Sequence, residues 1–443
     1  MTKLVVVGLG SGGFAAVLSA CKTDPKAEIT IVDEKEFDLL HSCGLPYAIS
    51  GEISPAEKLK QKLSFPKNVK ILNKTRALSI DAEKKELSVE EIGSGKKFSI
   101  PFDSLILSTG GKPFLPKIEG ARELLGKSVF LHHSIDDLER LMKALPGKKT
   151  ALVVGGGAIG LEVTAQLQKK GLAVSLAEML GQLLPNAIDA DLAELVKHHL
   201  EKIGVLVLLD SRVEKIEKAI ATVNGKKTPA EIVVLATGVK CDYSLAETAG
   251  LKKGANGLIV DEKMETNVKG IFAIGDITDA MHSVSGKPFS PQIASTAYAQ
   301  GLVAGANAVG GTKKYEGSLG TFATTIGELE VAATGLTMKY AGESGIETVE
   351  SRVRMHSLPE WFDGEKEIVV KLLAGKKSGK IIGAQAFGFG AFHRINIVSA
   401  AIKAGFTAKQ LAEIEMAYCP PLSDVRDALQ ICAELLERKM GKV

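Results

Sequence analysis

Apolar and polar positions fall into blocks along the chain. Leu4 to Val7 make an unbroken apolar run, KLVVV, followed by the glycine turn GLGSGG, the stretch FAAVLSACK and a second apolar run, EITIVD. Runs that are apolar on both faces suit central strands of a parallel sheet covered by helices, so the pattern predicts strand, turn, helix, strand. It returns at residues 150–178 as TALVV, GGGAIG, LEVTAQLQKKG and LAVSLAE. An internal duplication of this kind predicts two nucleotide-binding units. Between them, residues 69–107 read as a meander of short strands (VKIL, ALSI, KELSVEE, KKFSI, SLILS) that returns to the first sheet at Leu105–Ser108. A similar stretch runs from Val205 to Val234 and ends in IVVLATG, matching the earlier LILSTGG. From about 321 the texture changes to longer strands (ETVESRVRM, EIVVKLLA, KIIGAQAFG), then helical segments near 392–405 and 424–440. That reads as a separate α+β domain.

Composition narrows the classes. The chain has 443 residues, 45% of them hydrophobic, with 55 Lys and Arg against 52 Asp and Glu. The length predicts two or three domains, and a net charge of +3 without a basic run argues against a nucleic-acid partner. Five cysteines, at 21, 43, 241, 419 and 432, make an odd number with no CxxC. This argues against a disulfide scaffold or a metal site and fits a reducing compartment. The apolar start is only four residues long with one lysine ahead of it, so it reads as a buried strand, with no export signal and no membrane span.

The glycine turns carry the first chemistry. Gly8, Gly10 and Gly13 follow a strand and open a helix, and Asp33 ends the next strand 20 residues beyond Gly13. Gly155, Gly157 and Gly160 repeat the arrangement, with Glu178 18 residues on. Glycine is needed because a tight turn must bring backbone N–H groups and a helix N-terminus against a pyrophosphate, and the acidic residue then accepts from a ribose hydroxyl. Glu178 is followed by Met-Leu-Gly-Gln, with no Arg or Lys for a 2′-phosphate, so NADH is expected over NADPH at the second turn. Residues 41–51, HSCGLPYAISG, put Cys43 ten residues past Asp33 and ahead of a short helix. Position alone suits either a thiol of lowered pKa or a small inert core residue.

Further segments are distinctive: Cys43-Gly44-Leu45-Pro46-Tyr47, Ser108-Thr109-Gly110, the second glycine turn with Glu162, Ala236-Thr237-Gly238, and the run TNVKGIFAIGD from Thr266 to Asp276. With the first glycine turn, these make nearly the whole chain resemble the flavoprotein disulfide reductases with two dinucleotide-binding domains. The resemblance is to the single-cysteine branch, which includes coenzyme A disulfide reductase, NADH-dependent persulfide reductase, NADH oxidase and NADH peroxidase. It implies an α/β fold with two Rossmann-like domains and a C-terminal α+β dimerisation domain. An FAD domain would occupy 1–112 and 241–318, an NADH domain 113–240 and the dimerisation domain 319–443.

FAD is then expected on Gly8, Gly10, Ser11, Gly12 and Gly13, on Asp33 and Glu34, and on Ser42 and Cys43. Arg76 and Ala77, Ser108, Thr109 and Gly110, Gly275 and Asp276, and Ala294 and Ser295 complete that set, with Asp276 on the ribityl chain and a helix beginning near Gln292 aimed at the flavin. NADH falls to Gly155, Gly157, Ala158, Ile159, Gly160, Glu162, Glu178, Thr237 and Gly238. Cys43 is expected as the redox thiol and Tyr418, before Cys419-Pro420-Pro421, as a proton donor reaching the partner subunit's thiol.

The resemblance therefore implies an NADH-driven reductase of persulfide, polysulfide or coenzyme A disulfide, a cytoplasmic homodimer with coenzyme A as a possible thiol partner. Oxidases and peroxidases of the branch have a histidine where this chain has Ser11. An NADH oxidase or an electron-transfer reductase is the alternative. Coenzyme A users carry a basic pair late in the first helix and two tyrosines in the last domain; here these are Cys21-Lys22-Thr23 and Trp361-Phe362. Cys419 is expected to be structural.

Overall fold

The computed structural model describes residues 1–364 and 366–441. Contacts divide it into two compact units. The first comprises Met1–Gly44, Ser54–Phe114 and Val239–Ser318; the second comprises Leu45–Ile53, Leu115–Gly238 and the stretch beginning at Leu319.

The first unit is built on a five-stranded parallel sheet, in spatial order Ile271–Ala273, Ser104–Leu107, Lys3–Val7, Glu28–Val32, Val69–Leu72. Alternate residues feed two cores. Leu4, Val6, Ile29, Ile31 and Ile106 pack with Ala16, Val17 and Ala20 of helix Ser11–Thr23 and with Val303 and Ala304 of helix Ala294–Asn307. Val5, Val7, Val32, Leu105 and Leu107 pack on the other face with Ile80, Leu87 and Val89 of an antiparallel meander. That meander consists of Thr75–Asp81, Glu86–Glu91 and Lys97–Pro101. Both faces are thus covered, which is what the unbroken apolar runs require.

The second unit repeats the plan. Its parallel sheet runs Val129–Leu131, Ile232–Leu235, Thr150–Val154, Ala173–Ala177, Leu206–Leu208, with helix Ala158–Lys169 after the third of these. A second meander, Val213–Glu217, Ala219–Val223 and Lys226–Ala230, follows. The unit also holds a five-stranded antiparallel sheet in the order Phe322–Ile326, Leu329–Gly335, Ile381–Gly388, Glu367–Gly375, Thr348–His356. Helices Ala391–Ala404 and Ala428–Met440 cover it, and Ile368, Val370, Leu372, Ile395, Val398, Leu429 and Leu436 close that core.

The strand assignments need one correction. VKIL is not part of the first meander: Val69–Leu72 pairs in parallel with Glu28–Val32, and Leu206–Leu208 likewise extends the second parallel sheet. Four alternating residues look the same whether they end a parallel sheet or begin a hairpin, because periodicity records which face is buried and not which neighbour is paired.

Candidate functional site

In the first unit the carboxyl ends of Lys3–Val7, Glu28–Val32, Ser104–Leu107 and Ile271–Ala273 open onto one edge of the sheet, because the strands are parallel. The first strand has neighbours reached by opposite crossovers, and such a switch point is where ligands bind on open α/β sheets. Gly8 has φ +95°, and a Cβ there would lie 2.2 Å from the Ser108 carbonyl oxygen. A Cβ on Gly13 would lie 2.0 Å from the Gly8 carbonyl oxygen. At Gly10 a Cβ would meet nothing within 4 Å, so this turn of the loop faces open space. Helix Ser11–Thr23 begins there with no side-chain cap, so its first N–H groups are left for an anion.

Asp33 is buried, and it serves the loop itself: Leu9 N–H donates to Oδ2 at 2.6 Å and Lys35 N–H to Oδ1 at 2.8 Å. Lys35 also pairs with it through Nζ. Exposed Glu34 is held by Arg76, whose Nε lies 3.1 Å from Oε1. Ala77 is half-buried beside Arg76.

The same unit brings the other FAD candidates to it. Ser108 N–H donates to Val7 O (2.8 Å), placing Ser108, Thr109 and Gly110 just beyond the sheet edge. Gly275 N–H donates to Gln300 Oε1 (2.7 Å), which fixes the turn containing Asp276, and Cys241 Sγ donates to the Asp276 carbonyl (3.1 Å). Ala294 and Ser295 are exposed at the start of helix Ala294–Asn307, which also lacks a side-chain cap. Ser11, Gly12 and Gly13 form that first helix's opening turn; a Cβ on Gly12 would lie 3.2 Å from Ser108 Oγ.

Cys43 is exposed in the turn Ser42–Gly44. The helix that follows, Leu45–Ser50, has six residues.

The second unit repeats the loop. A Cβ on Gly155 (φ +109°) would lie 2.4 Å from the Ala236 carbonyl oxygen, one on Gly160 would lie 1.9 Å from the Gly155 carbonyl oxygen, and one on Gly157 would meet nothing within 4 Å. Glu178 is buried and takes the role of Asp33: Gly156 N–H donates to Oε2 (2.6 Å) and Leu180 N–H to Oε1 (2.8 Å). Ala158 and exposed Ile159 form the uncapped first turn of helix Ala158–Lys169, and Met179 and Leu180 are exposed beyond Glu178. Thr237 and Gly238 follow the strand Ile232–Leu235 at the same sheet edge.

Glu162, on that helix, is half-buried; Thr324 Oγ1 donates to its Oε1 at 2.8 Å, and burial pushes the carboxyl above its ordinary value while the Thr324 hydroxyl opposes this. Tyr47 joins the group, with Oη 3.0 Å from Thr325 Oγ1. Neither Tyr47 nor the two threonines was singled out as a site residue, because residues 47, 162 and 324 are far apart in sequence and only the fold brings them together.

Tyr418 and Cys419 are exposed in an irregular segment, Trp361 is exposed against Phe362, and Cys432 is buried, its thiol pushed up to about 11 by desolvation. Among the described residues no group of three or more His, Cys, Asp or Glu side chains is arranged to hold a metal, and no helix is long and apolar enough to cross a membrane.

Comparison with known proteins adds the following. The family model described as pyridine nucleotide-disulphide oxidoreductase matches residues 2–301, and that of the corresponding dimerisation domain matches 321–429. An NADH oxidase of Methanocaldococcus jannaschii is 33% identical over 99% of both chains. The NAD(P)H sulfur oxidoreductase (CoA-dependent) of Pyrococcus furiosus is 29% identical over 98% of this chain and 99% of its own. The solved NAD-dependent persulfide reductase from A. fulgidus superposes with a TM-score of 0.94 at 32% identity, covering 99% of this chain and 84% of that one. The reduced Bacillus anthracis CoADR-RHD gives 0.95 at 30% identity, covering 100% and 81%.

Proposed function

Since the chain belongs to the pyridine nucleotide-disulphide oxidoreductases, and is thus an NAD(P)H-dependent flavoprotein reductase, we propose that it uses NADH to reduce persulfides, polysulfides or coenzyme A disulfide at Cys43. The observation that carries this reading is the exposed Cys43 thiol in the same unit as the first glycine loop. Relatives named as persulfide and CoA-dependent sulfur reductases align over nearly the full chain, which supports it.

The residues present fit both nucleotides. Open space at Gly10 and Gly157, backed by uncapped helices, suits two pyrophosphates, and a third uncapped helix at Ala294 suits the electron-rich end of a reduced flavin. Bound FAD would supply two-electron transfer between nicotinamide and thiol. Ile159, Met179 and Leu180 offer exposed apolar surface for an adenine, and Glu162 would shape the nicotinamide pocket, as the family resemblance implies. Glu178, with no Arg or Lys after it, disfavours a 2′-phosphate.

The Cys43 thiolate attacks the inner sulfur of RSSH, forming a Cys43–S–S–R mixed disulfide and expelling HS⁻. Two electrons and one proton then return Cys43 to thiolate and release RSH. Tyr418 of the partner subunit gives that proton, so the homodimer is part of the reading and the dimerisation-domain match supports it. A redox thiol that must stay reduced between turnovers fits a reducing compartment such as the cytoplasm, and that is the proposed location. Coenzyme A is the proposed thiol partner.

Cys43→Ser should abolish NADH-driven reduction of a low-molecular-weight persulfide while NADH still bleaches the flavin. Full persulfide turnover in that variant would overturn the proposal. The NADH oxidase of M. jannaschii keeps a second reading alive, reduction of oxygen. NADH consumption under air, compared with anaerobic consumption plus polysulfide, separates the two; Ser11 in the first loop favours the sulfur substrate.

A further inference from the structure

The Glu162 carboxyl is held from two other elements. Thr324, on strand Phe322–Ile326, donates to it at 2.8 Å. Tyr47, on helix Leu45–Ser50, is electrostatically coupled to the same carboxyl, and its Oη lies 3.0 Å from Thr325 Oγ1. A phenol has one proton, and a carboxylate can only accept. With Thr325 donating to the phenol oxygen, the Tyr47 proton is left for the Glu162 carboxylate.

The helix that carries Tyr47 begins two residues after Cys43 and is firmly docked. Leu45, Ala48 and Ile49 are buried, and Glu52 beyond it takes hydrogen bonds from Gln166 (3.0 Å) and Lys169 (2.9 Å). Glu162, Gln166 and Lys169 are spaced four and three apart, one face of their helix. Tyr47 is thus set by packing at one end of this contact and by an ion pair at the other.

We propose that Tyr47 and Thr324 are positioning residues for Glu162, two hydroxyl donors that fix the orientation of its carboxyl and hold it ionised toward the nicotinamide. The proposal rests on the reading of Glu162 as part of the NADH pocket. Burial pushes this carboxyl up, and each hydroxyl donor opposes that push by favouring the charged form. The ionised carboxylate attracts the positive nicotinamide of NAD⁺, so protonation weakens NAD⁺ binding.

The other groups facing Glu162 leave this assignment intact. Segment 45–52 contributes Tyr47, whose phenol is pushed up by burial, and Glu52, held below the ordinary carboxylate range by Lys169 and Gln166. Lys169 sits on the same helix as Glu162, and strands Thr150–Val154, Ala173–Ala177 and Phe322–Ile326 carry no titratable side chain.

The test is calorimetric titration of the FAD-loaded protein with NAD⁺ from pH 4.5 to 8, in a Cys43→Ser background so that the Cys43 thiol does not contribute. Kd should rise several-fold as the pH falls through the Glu162 transition. Tyr47→Phe and Thr324→Val should each move the midpoint up by about one pH unit. Thr325→Val, one hydrogen bond further out, should move it less. A purely structural role would weaken binding equally at every pH, and a midpoint that stays put or moves down in Tyr47→Phe would overturn the proposal. Should Tyr47→Phe fail to retain FAD, Thr324→Val decides by the same criterion. Glu162→Gln separates the two claims: it should abolish the pH dependence. If the dependence survives there unchanged, the pocket reading of Glu162 fails; if it is lost there while neither hydroxyl variant shifts the midpoint, only the positioning claim does.

Discussion

Asp427 offers a measure of how the last part of the chain is held. It has two roles in the structure. Its carboxylate meets Arg394 through Nε–Oδ1 (2.9 Å), Nε–Oδ2 (3.1 Å) and Nη2–Oδ2 (2.6 Å), with the two side chains 7% and 9% exposed. Arg394 Nη1 also donates to the Phe389 and Gly390 carbonyls, at 3.0 and 3.1 Å. Gly390 has φ +71°, and a Cβ there would sit 2.5 Å from Nη1, so the turn is shaped around the guanidinium. Asp427 also caps helix Ala428–Met440, accepting from Leu429 N–H at 2.8 Å in a capping box with Gln430.

Removing one partner of a buried ion pair costs about 3–5 kcal/mol, because the other charge stays buried and unpaired. Losing a cap costs about 1 kcal/mol more. Asp427→Ala should therefore cost roughly 4–6 kcal/mol, and Asp427→Asn about 1 kcal/mol less, since Asn caps as well as Asp. The double variant Arg394→Met/Asp427→Asn should recover much of the loss, as no charge is then left behind. Amide hydrogen exchange of peptides from 428–440 reads the local opening free energy directly. A cost below about 1 kcal/mol for Asp427→Ala would refute the buried-charge argument. Equal costs for Ala and Asn would refute the capping part.

The two glycine classes separate stability from binding. Gly157→Ala adds a Cβ into open space at an ordinary φ of −77°, so thermal stability should hold while NAD⁺ affinity falls at least about tenfold; Gly160→Ala drives a Cβ against the Gly155 carbonyl and should lower the melting temperature itself. Unchanged NAD⁺ affinity in Gly157→Ala, measured by calorimetry, would count against the phosphate assignment. His132 is 6% exposed with neither ring nitrogen hydrogen-bonded, and desolvation lowers it from 6.5 to about 4 despite Asp137. The unfolded chain therefore takes this proton first. The stability His132 contributes is complete above pH 6.5 and is lost as pH falls toward 4, about 3 kcal/mol in all. The urea midpoint of His132→Phe should fall less than that of the unsubstituted protein across this window; parallel curves would exclude it.

Sequence carried the architecture where a pattern is local. The two strand-glycine-helix-strand units and the returning strand Ser104–Leu107 follow from contiguous runs. The hairpin Phe322–Ile326 and Leu329–Gly335 escaped, since its small residues dilute the alternation and its turn rests on Gly327 at φ +65°. Both loops were legible because their chemistry is written in adjacent residues, whereas the role of Cys43 came only from the family resemblance. The Glu162 group was not legible, because Tyr47, Thr324 and Thr325 come from elements with no shared periodicity. The buried carboxylates have a second role that their spacing does not announce: Asp33 and Glu178 also grip the loops from below through backbone N–H groups.

That grip explains how the loops can be both strained and ready. In each unit the acidic residue ending the second strand accepts the N–H of the residue after the first loop glycine, Leu9 in one and Gly156 in the other, at 2.6 Å. This satisfies the donor that points inward and leaves outward donors at the helix start. Helices Ile135–Ala144 and Ala428–Met440, which begin at Ser134 and Asp427, are closed by side-chain caps; those beginning after Gly10, Gly157 and Ile293 are not. An uncapped terminus keeps its first N–H groups for solvent, which costs a few tenths of a kcal/mol relative to a good cap at Gly10 and Gly157 and about 1 kcal/mol at Ile293. A bound phosphate or anionic ring recovers that cost, because donors already fixed in direction need no reordering when the anion arrives. The missing caps and the buried carboxylates are therefore one device, in which the loop is shaped from within by the protein's own charge so that its outer face is left to the nucleotide.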